Sequence, residues 1–446
     1  MAIHRMKNVV QRYAWGSRTM LPAIRGVSTP ATEAQAELWM GSHPRGRSEL
    51  VAPDGTTRPI RDNSLPFLFK ILTAEKALSI QAHPGKIQAE EGYARENEAD
   101  IPLDAPHRNY RDTNHKPELI CALSDFWGLR GFRPISAISL ELELLCDRSE
   151  YLRQGIGPLV DELLERADTE TWRRTFLRLL QLGEETKGGA ELVDAAVGLA
   201  RDSGTVDPET GKVDRSDRYW WVLELQRQFP DDPGILAPLY LNLIHLRPGE
   251  AAFLDAGILH AYLYGAGVEI MANSDNVLRA GCTAKHVDVT ELGRVLTFGG
   301  DTSLPIRPER GDAVFTYTTP AVEFELQRVD LSIAPRVELL RNRGEVVVLA
   351  VGATVELTDP DGSVQIGTGE SAFLDGAAGV DRRSGADSTG LRGRGGAGAP
   401  AGHRVRIETT EQTHGSAVMK EVVHGAYLFI ASLPGAVEVT VSERAG

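Results

Sequence analysis

Apolar and polar positions change their spacing twice along this 446-residue chain. Up to about position 134 the apolar runs are short, as in LPFLFKIL (65–72) and ALSIQA (77–82), and Gly and Pro punctuate them. Such runs predict strands joined by loops. From about 138, LELELLCDRSEYLRQGIGPLVDELLERA and TWRRTFLRLLQL set apolar residues three and four apart with charges between. That is the spacing of amphipathic helices, and it continues through ELVDAAVGLARD and RYWWVLELQRQF to about 230. Strand-like runs return from 239 in YLNLIHLRPGEAAFLDAGILHAYLYGAGVEIM, where Pro248-Gly249 predicts a turn. From about 321, FELQRVDL, VVVLAVG, TVELTDPDGSVQIG, YLFIASLP and VEVTVS predict a further set of short strands, a β-sandwich or jelly roll.

An internal match refines this division. GEAAFLDAGILH (249–260) aligns without gaps on GESAFLDGAAGV (369–380), which predicts two related β-sandwich domains in one chain. His260 in the first copy faces Val380 in the second, so the second copy reads as structural and without a metal. The expected architecture is mainly β with a helical insertion: residues 1–135 with 236–305 form one sandwich, 136–235 the inserted helical domain, and 306–446 the second sandwich. Within the last, RRSGADSTGLRGRGGAGAPAGH (382–403) has almost no large apolar residue to offset the entropy of ordering. The segment 381–403 is therefore expected to be a flexible surface loop without catalytic work.

Composition narrows the function classes. Hydrophobic residues make up 42% and charged ones 25%, values of a globular protein. The formal net charge of -14 argues against nucleic acid or an anionic membrane as partner. A phosphorylated ligand would need a local basic pocket. The cysteines Cys121, Cys146 and Cys282 lie far apart, with no disulfide framework and no CxxC zinc knuckle. The opening MAIHRMKNVVQ has no apolar signal core, so a cytoplasmic location is expected.

Three short segments carry possible chemistry. In SIQAHP (79–84), a strand would put Gln81 and His83 on one face, with Ile80 and Ala82 toward the core. The pair could offer an oxygen and an imidazole nitrogen to a divalent cation, or simply be a solvated face. In NHKPEL (114–119), Pro117 favours extended chain, so Lys116 and Glu118 share a face, as an active pair or as a loop salt bridge. His260 in GILHAYLYG would usually be a core histidine, but its Val380 counterpart shows that the fold does not need a polar residue there. Together Gln81, His83, Glu118 and His260 form a thiolate-free set of two nitrogens and two oxygens, suited to Zn2+ as a Lewis acid.

Several motifs, taken in order, give the chain a family resemblance. YAWGS (13–17), AELWMGSHP (36–44), LPFLFKIL, LSIQAHP, NHKPEL and the run from GILHAY to SDNVLRAGCTAKHVDV resemble the type I phosphomannose isomerases. The resemblance covers most of 10–296 and, more loosely, the C-terminal block. It implies a zinc-dependent cupin fold, so that both sandwiches are expected to be cupin-like. It also implies interconversion of mannose 6-phosphate and fructose 6-phosphate through a cis-enediol. The family's zinc ligands fall on Gln81, His83, Glu118 and His260, and its active-site arginine on Arg279. Lys285, Lys70 and Lys116 match lysines at or near the sugar-phosphate pocket. Ala284 and His286 depart from the proline and the aromatic common at those places, which bears on fine specificity.

The residue that moves the proton stays open among Glu269, Asp275 and Lys116. Glu269 has a slight advantage, because a carboxylate inside an apolar strand has its pKa pushed toward neutrality; the alternative is a structural carboxylate holding Arg279. Arg279 suits an oxyanion or phosphate rather than a base. Lys285 and Lys70 would add charge at the phosphate, and Tyr262 and His115 would orient substrate or ligand. Trp15 and Trp39 read as core packing. The expected partner is a small sugar phosphate, one zinc is expected per chain, and the chain is expected to be a monomer. Two other classes compete: a metal-dependent cupin oxygenase, and a cupin that binds a sugar phosphate without turning it over. No Gly-rich nucleotide loop suggests a fused nucleotidyl transferase.

Overall fold

The computed structural model describes residues 3–442 apart from 63, 206–207, 210, 212, 310, 343, 376–402, 413–418, 420–421 and 424. Val380 and nearly all of the segment 381–403 lie outside the described residues, and the strand His403–Gln412 begins at its end. Strands and helices fall in the predicted order: strands, a helical block, then strands to the C-terminus.

The inserted block consists of helices Ile135–Cys146, Glu150–Arg166, Thr169–Glu184, Thr186–Asp202 and Arg218–Gln228. Helix Thr169–Glu184 buries Trp172, Phe176 and Leu179, a helical spacing, and Asp168 caps it by accepting from the Thr171 backbone N–H. Ser149 and Asp217 cap their helices in the same way. Helix Lys86–Glu98 stands where only strands and loops were expected. Its sequence KIQAEEGYARENE buries only Ala89, Gly92 and Glu96, so no apolar stripe announces it.

The strands form sheets of ten, eight and five members among the described residues. The ten-stranded sheet carries the segments singled out for chemistry. Its strand Phe67–Ala74 pairs with Glu37–Met40 and with the long strand His260–Ala272, which in turn pairs with Glu118–Ala122. Strict alternation divides these strands into two faces. Phe69, Ile71, Leu119, Cys121, Val268 and Ile270 pack into a core shared with Phe324, Leu326, Val347 and Phe429 of the C-terminal block. Lys70, Glu118 and Glu269 alternate with them and point the other way. The matching strands of the internal repeat, Ala251–Leu254 and Ser371–Leu374, both form. The eight-stranded sheet also takes in the N-terminal strand Ile3–Lys7, paired with Ser371–Leu374, so the N-terminus is woven into the C-terminal sandwich.

Candidate metal centre and active site

The site depends on one strand turning a corner. Residues 260–264 of His260–Ala272 pair with Phe126–Phe132, whereas 265–272 pair with Phe67–Ala74. The change falls at Gly265, whose φ is +122 and where an added Cβ would lie 2.5 Å from the Asp125 carbonyl oxygen. Only glycine tolerates that conformation at that approach. The corner brings His260 and Glu269, from a single strand, toward the same carboxylate: His260 Nε2 is 3.6 Å from Glu118, and the Glu118 charge acts on Glu269.

His83, Glu118 and His260 meet there. Their ligand atoms lie within 4.8 Å of one another, and each residue is at most 2% exposed. Glu118 Oε1 is 3.2 Å from His83 Nε2, and Oε2 is 3.6 Å from His260 Nε2. The outer ring nitrogens are engaged: Nδ1 of His83 lies 2.7 Å from the Asn276 carbonyl oxygen, and Nδ1 of His260 lies 2.9 Å from that of Ile258. A carbonyl can only accept, so each Nδ1 carries the proton and each Nε2 turns a lone pair inward. Both Nε2 atoms and Glu118 Oε2 are buried without a hydrogen-bond partner. Buried polar atoms without partners are costly, and a cation between them removes that cost.

Electrostatics put these groups in ligand form. Burial, then the Lys116 ammonium, pushes the His83 pKa down to about 4, so its imidazole is neutral at pH 7. Burial works to raise Glu118, but Lys116 and the two histidines override it and hold the carboxyl well below its usual range. The neutral His83 imidazole and the ionised Glu118 carboxylate, with His260 Nε2 beside them, are donor types that zinc accepts. Gln81 joins them by register. It lies in the strand Ile80–Ala82, opposite His260 on one side and Arg279 on the other. Directly opposed residues share a face, so Gln81, His260 and Arg279 line the same side.

A chain of buried polar contacts leads away from this cluster. Lys70 Nζ is 2.5 Å from Glu269 Oε2 and 2.9 Å from Glu37 Oε1. The Tyr262 hydroxyl donates to Glu269 Oε1 at 2.6 Å, and the Trp39 indole donates to Glu37 at 2.8 Å. Burial raises the Glu269 pKa, with Lys70 opposing and Glu118 adding to the rise. Burial disfavours the Lys70 ammonium, yet Glu269 and Glu37 keep its pKa above the usual lysine value. Lys70, expected at a phosphate, thus sits between two carboxylates. Lys116 Nζ is 3.2 Å from Glu118.

Not every residue singled out points inward. His115 Nε2 is 2.6 Å from Glu323, in the direction of the C-terminal block. Asp275 pairs with Arg45 and lies 3.6 Å from His43 Nε2, at the rim. Arg279 and Lys285 have no carboxylate partner among the described residues. Burial and Arg111 lower the Arg279 pKa; burial, Arg279, Arg111 and Arg45 lower that of Lys285. These cations form an edge that would welcome an anion.

Glu37, His43, Arg45, Arg111 and Asn276 could not be picked out from the sequence. Glu37, His43 and Asn276 lie inside or beside quoted motifs, but nothing in their spacing told them from scaffold. Asn276 fastens His83 in place, since its side chain donates to the Asp112 and Asn114 carbonyls while its own carbonyl orients the imidazole.

The match to known proteins is extensive. Residues 3–62 and 52–135 match the family described as phosphomannose isomerase type I, catalytic domain. The mannose-6-phosphate isomerase of Escherichia coli is 35% identical over 393 residues, covering 83% of this chain and 94% of that protein. The human enzyme of the same name is 31% identical, covering 78% and 87%. A solved phosphomannose isomerase of Salmonella typhimurium superposes with a TM-score of 0.77 at 29% identity, over 97% of this chain and 100% of that one. A zinc-bound mannose 6-phosphate isomerase structure superposes over the same shares with a TM-score of 0.75, also at 29% identity. Near full-length similarity, joined to a buried donor set of the right composition, places this chain in the type I mannose-6-phosphate isomerase family.

Proposed function

We propose that this chain is a zinc-dependent aldose–ketose isomerase that interconverts D-mannose 6-phosphate and D-fructose 6-phosphate. The observation that carries the reading is the buried His83–Glu118–His260 cluster, whose inward Nε2 and Oε2 atoms have no hydrogen-bond partner. His83, Glu118 and His260, with Gln81 beside them in register, would hold one Zn2+. When bound, the ion supplies Lewis-acid polarisation of the sugar's carbonyl and hydroxyl oxygens.

The chain's own residues divide the remaining work. Moving a proton between C2 and C1 needs a base beside those carbons, and Glu269 is our assignment for it. Its raised pKa brings it toward the range in which a carboxylate can both take and return a proton. Tyr262 and Lys70 hold its two oxygens in place. Lys116 and Asp275 remain the alternatives, one beside Glu118 and one at the rim. Arg279 and Lys285 would take the phosphate, because their positive edge lacks a carboxylate partner among the described residues. We assign Lys70 to Glu269 rather than to phosphate, and His115 to the contact with Glu323.

The same reading assigns catalysis to residues 1–135 with 236–305, support to the helical insertion 136–235, and a metal-free structural role to 306–446. No helix among the described residues is long and apolar enough to cross a membrane. The charge of -14 favours a small sugar phosphate held in a local basic pocket over nucleic acid or an anionic membrane. A cytoplasmic monomer completes the proposal.

The test is a coupled assay with mannose 6-phosphate, run before and after chelation and after adding zinc, beside an oxygen electrode and metal analysis. Turnover lost on chelation and restored by zinc is expected. Oxygen uptake, or ligand-induced stabilisation without turnover, would overturn the proposal.

A further inference from the structure

The end of the helical insertion meets the turn that follows Arg279. Arg279 lies in the strand Leu278–Gly281, which runs on into Cys282, Thr283, Ala284 and Lys285. Cys282 has φ +52, a left-handed conformation that a non-glycine residue keeps only when its surroundings impose it. What surrounds it is the end of the insertion. An added Cβ on Gly234, in the 3-10 helix Pro233–Leu236, would meet the Cys282 backbone nitrogen at 2.5 Å. An added Cβ on Gly281 would meet the Gly234 Cα at 2.6 Å. Backbone therefore runs against backbone.

Asp232 spans this contact. Its Oδ1 accepts from the Gly234 N–H at 2.7 Å, capping the 3-10 helix. Its Oδ2 accepts from the Thr283 N–H at 2.9 Å, across the junction. Thr283 passes the constraint on, because its Oγ1 accepts from the Lys285 N–H at 3.1 Å. One carboxylate thus ties the insertion to the turn between Arg279 and Lys285. We infer that Asp232 is a positioning residue for substrate: through Thr283 it sets where Lys285 stands, and so tunes recognition of the sugar's phosphate. The inference rests on the reading of Arg279 and Lys285 as the phosphate edge.

The experiment uses the zinc-loaded full chain and its variants Asp232→Ala, Asp232→Asn, Thr283→Ala, Thr283→Ser and Lys285→Met. Readouts are kcat, KM for mannose 6-phosphate, competitive inhibition by inorganic phosphate, and bound zinc. Asp232→Ala and Thr283→Ala should raise KM and the phosphate inhibition constant together by about tenfold, the loss expected for one misplaced charge-assisted contact. Zinc should stay bound and kcat should change less than about twofold, because a contact made equally in ground and transition states leaves kcat alone. Thr283→Ser restores the acceptor and should behave as the unmodified enzyme; Asp232→Asn keeps one acceptor and should fall between. Unchanged KM in Asp232→Ala, with KM raised in Lys285→Met, overturns the inference alone. Unchanged KM in Lys285→Met overturns the phosphate reading beneath it. Should Asp232→Ala fail to fold, the Thr283 pair decides: a raised KM in Thr283→Ala that Thr283→Ser restores supports the relay, and equal values in both overturn it.

Discussion

Replacing Lys70 with methionine removes a charge and keeps most of the volume. The structure sets the size of the effect. The ammonium lies 2.5 Å from Glu269 and 2.9 Å from Glu37, and all three residues are at most 8% exposed. At an effective dielectric of about 20, each pair attracts by roughly 6 kcal/mol, but desolvation offsets much of that gain. Breaking a buried pair from one side typically costs about 3–5 kcal/mol, because the partner charge stays buried. Here two carboxylates would be left. Glu269, already raised by burial, is the one that takes up a proton, which brings the expected loss to about 3 kcal/mol, the low end of that range.

The sign with pH follows. A carboxyl whose folded-state pKa is raised binds protons more readily folded than unfolded, so stability falls as pH rises. The penalty of Lys70→Met should be smallest at acid pH and grow as pH climbs through the folded-state pKa of Glu269. The assay is hydrogen exchange at Phe67–Ala74 and His260–Ala272, because a chain of 446 residues need not unfold in one step. Adding Glu269→Gln should return about 1–3 kcal/mol of the loss, the range of coupling between contacting groups. Unchanged exchange in Lys70→Met, or losses that simply add in the double variant, would refute this account of the buried network.

The other predictions concern the site directly. His260→Ala and Gln81→Ala should lower zinc content and abolish turnover with the fold largely intact; full turnover after dialysis against chelator would show the ligands are wrong. Arg279→Ala should retain zinc and lose about 10²–10³ in rate, as for one charge-stabilising group, and near-normal turnover would refute its role. The Lys285 pKa is lowered by burial and by Arg279, Arg111 and Arg45, so its ammonium loses charge below the ordinary lysine range. KM should therefore rise on the alkaline side, and Lys285→Arg should move that limb to higher pH; a limb that does not move would show that Lys285 is not the group titrating.

Much of this was legible because strands report their faces. The two-residue step from Gln81 to His83 places both on the polar side, with Ile80 and Ala82 buried behind them. The helical block announced itself through spacing such as Trp172, Phe176 and Leu179. What escaped depends on distance in space rather than along the chain. LPFLFKIL reveals that Lys70 faces away from Phe69 and Ile71, but not that Glu37 and Glu269 enclose it. Asp232 reads as an ordinary cap in PDDPG until the fold brings Thr283 beside it. Helix Lys86–Glu98 lacks an apolar stripe because it buries so little. The pairing of Ile3–Lys7 with Ser371–Leu374 joins residues from opposite ends of the chain, and no local pattern encodes that.

A polar face on a buried sheet needs its other face covered, and this explains why so large a chain surrounds so small a centre. Behind Lys70, Glu118 and Glu269, the alternate residues Phe69, Leu119, Val268 and Ile270 pack against Phe324, Leu326, Val347 and Phe429 of the C-terminal sandwich. Behind Gln81 and Arg279, the alternate residues Ile80, Ala82, Leu278 and Ala280 pack in the same core as Trp172, Phe176 and Trp221 of the insertion. Each large apolar side chain gains about 1.5–3 kcal/mol from burial, so either support outweighs the cost of holding one polar ligand in place. These strands are thus clamped from two directions by different parts of the chain, which keeps Nε2 and Oε2 aimed inward. On this reasoning the C-terminal sandwich contributes through the rigidity it lends to the strands of the first.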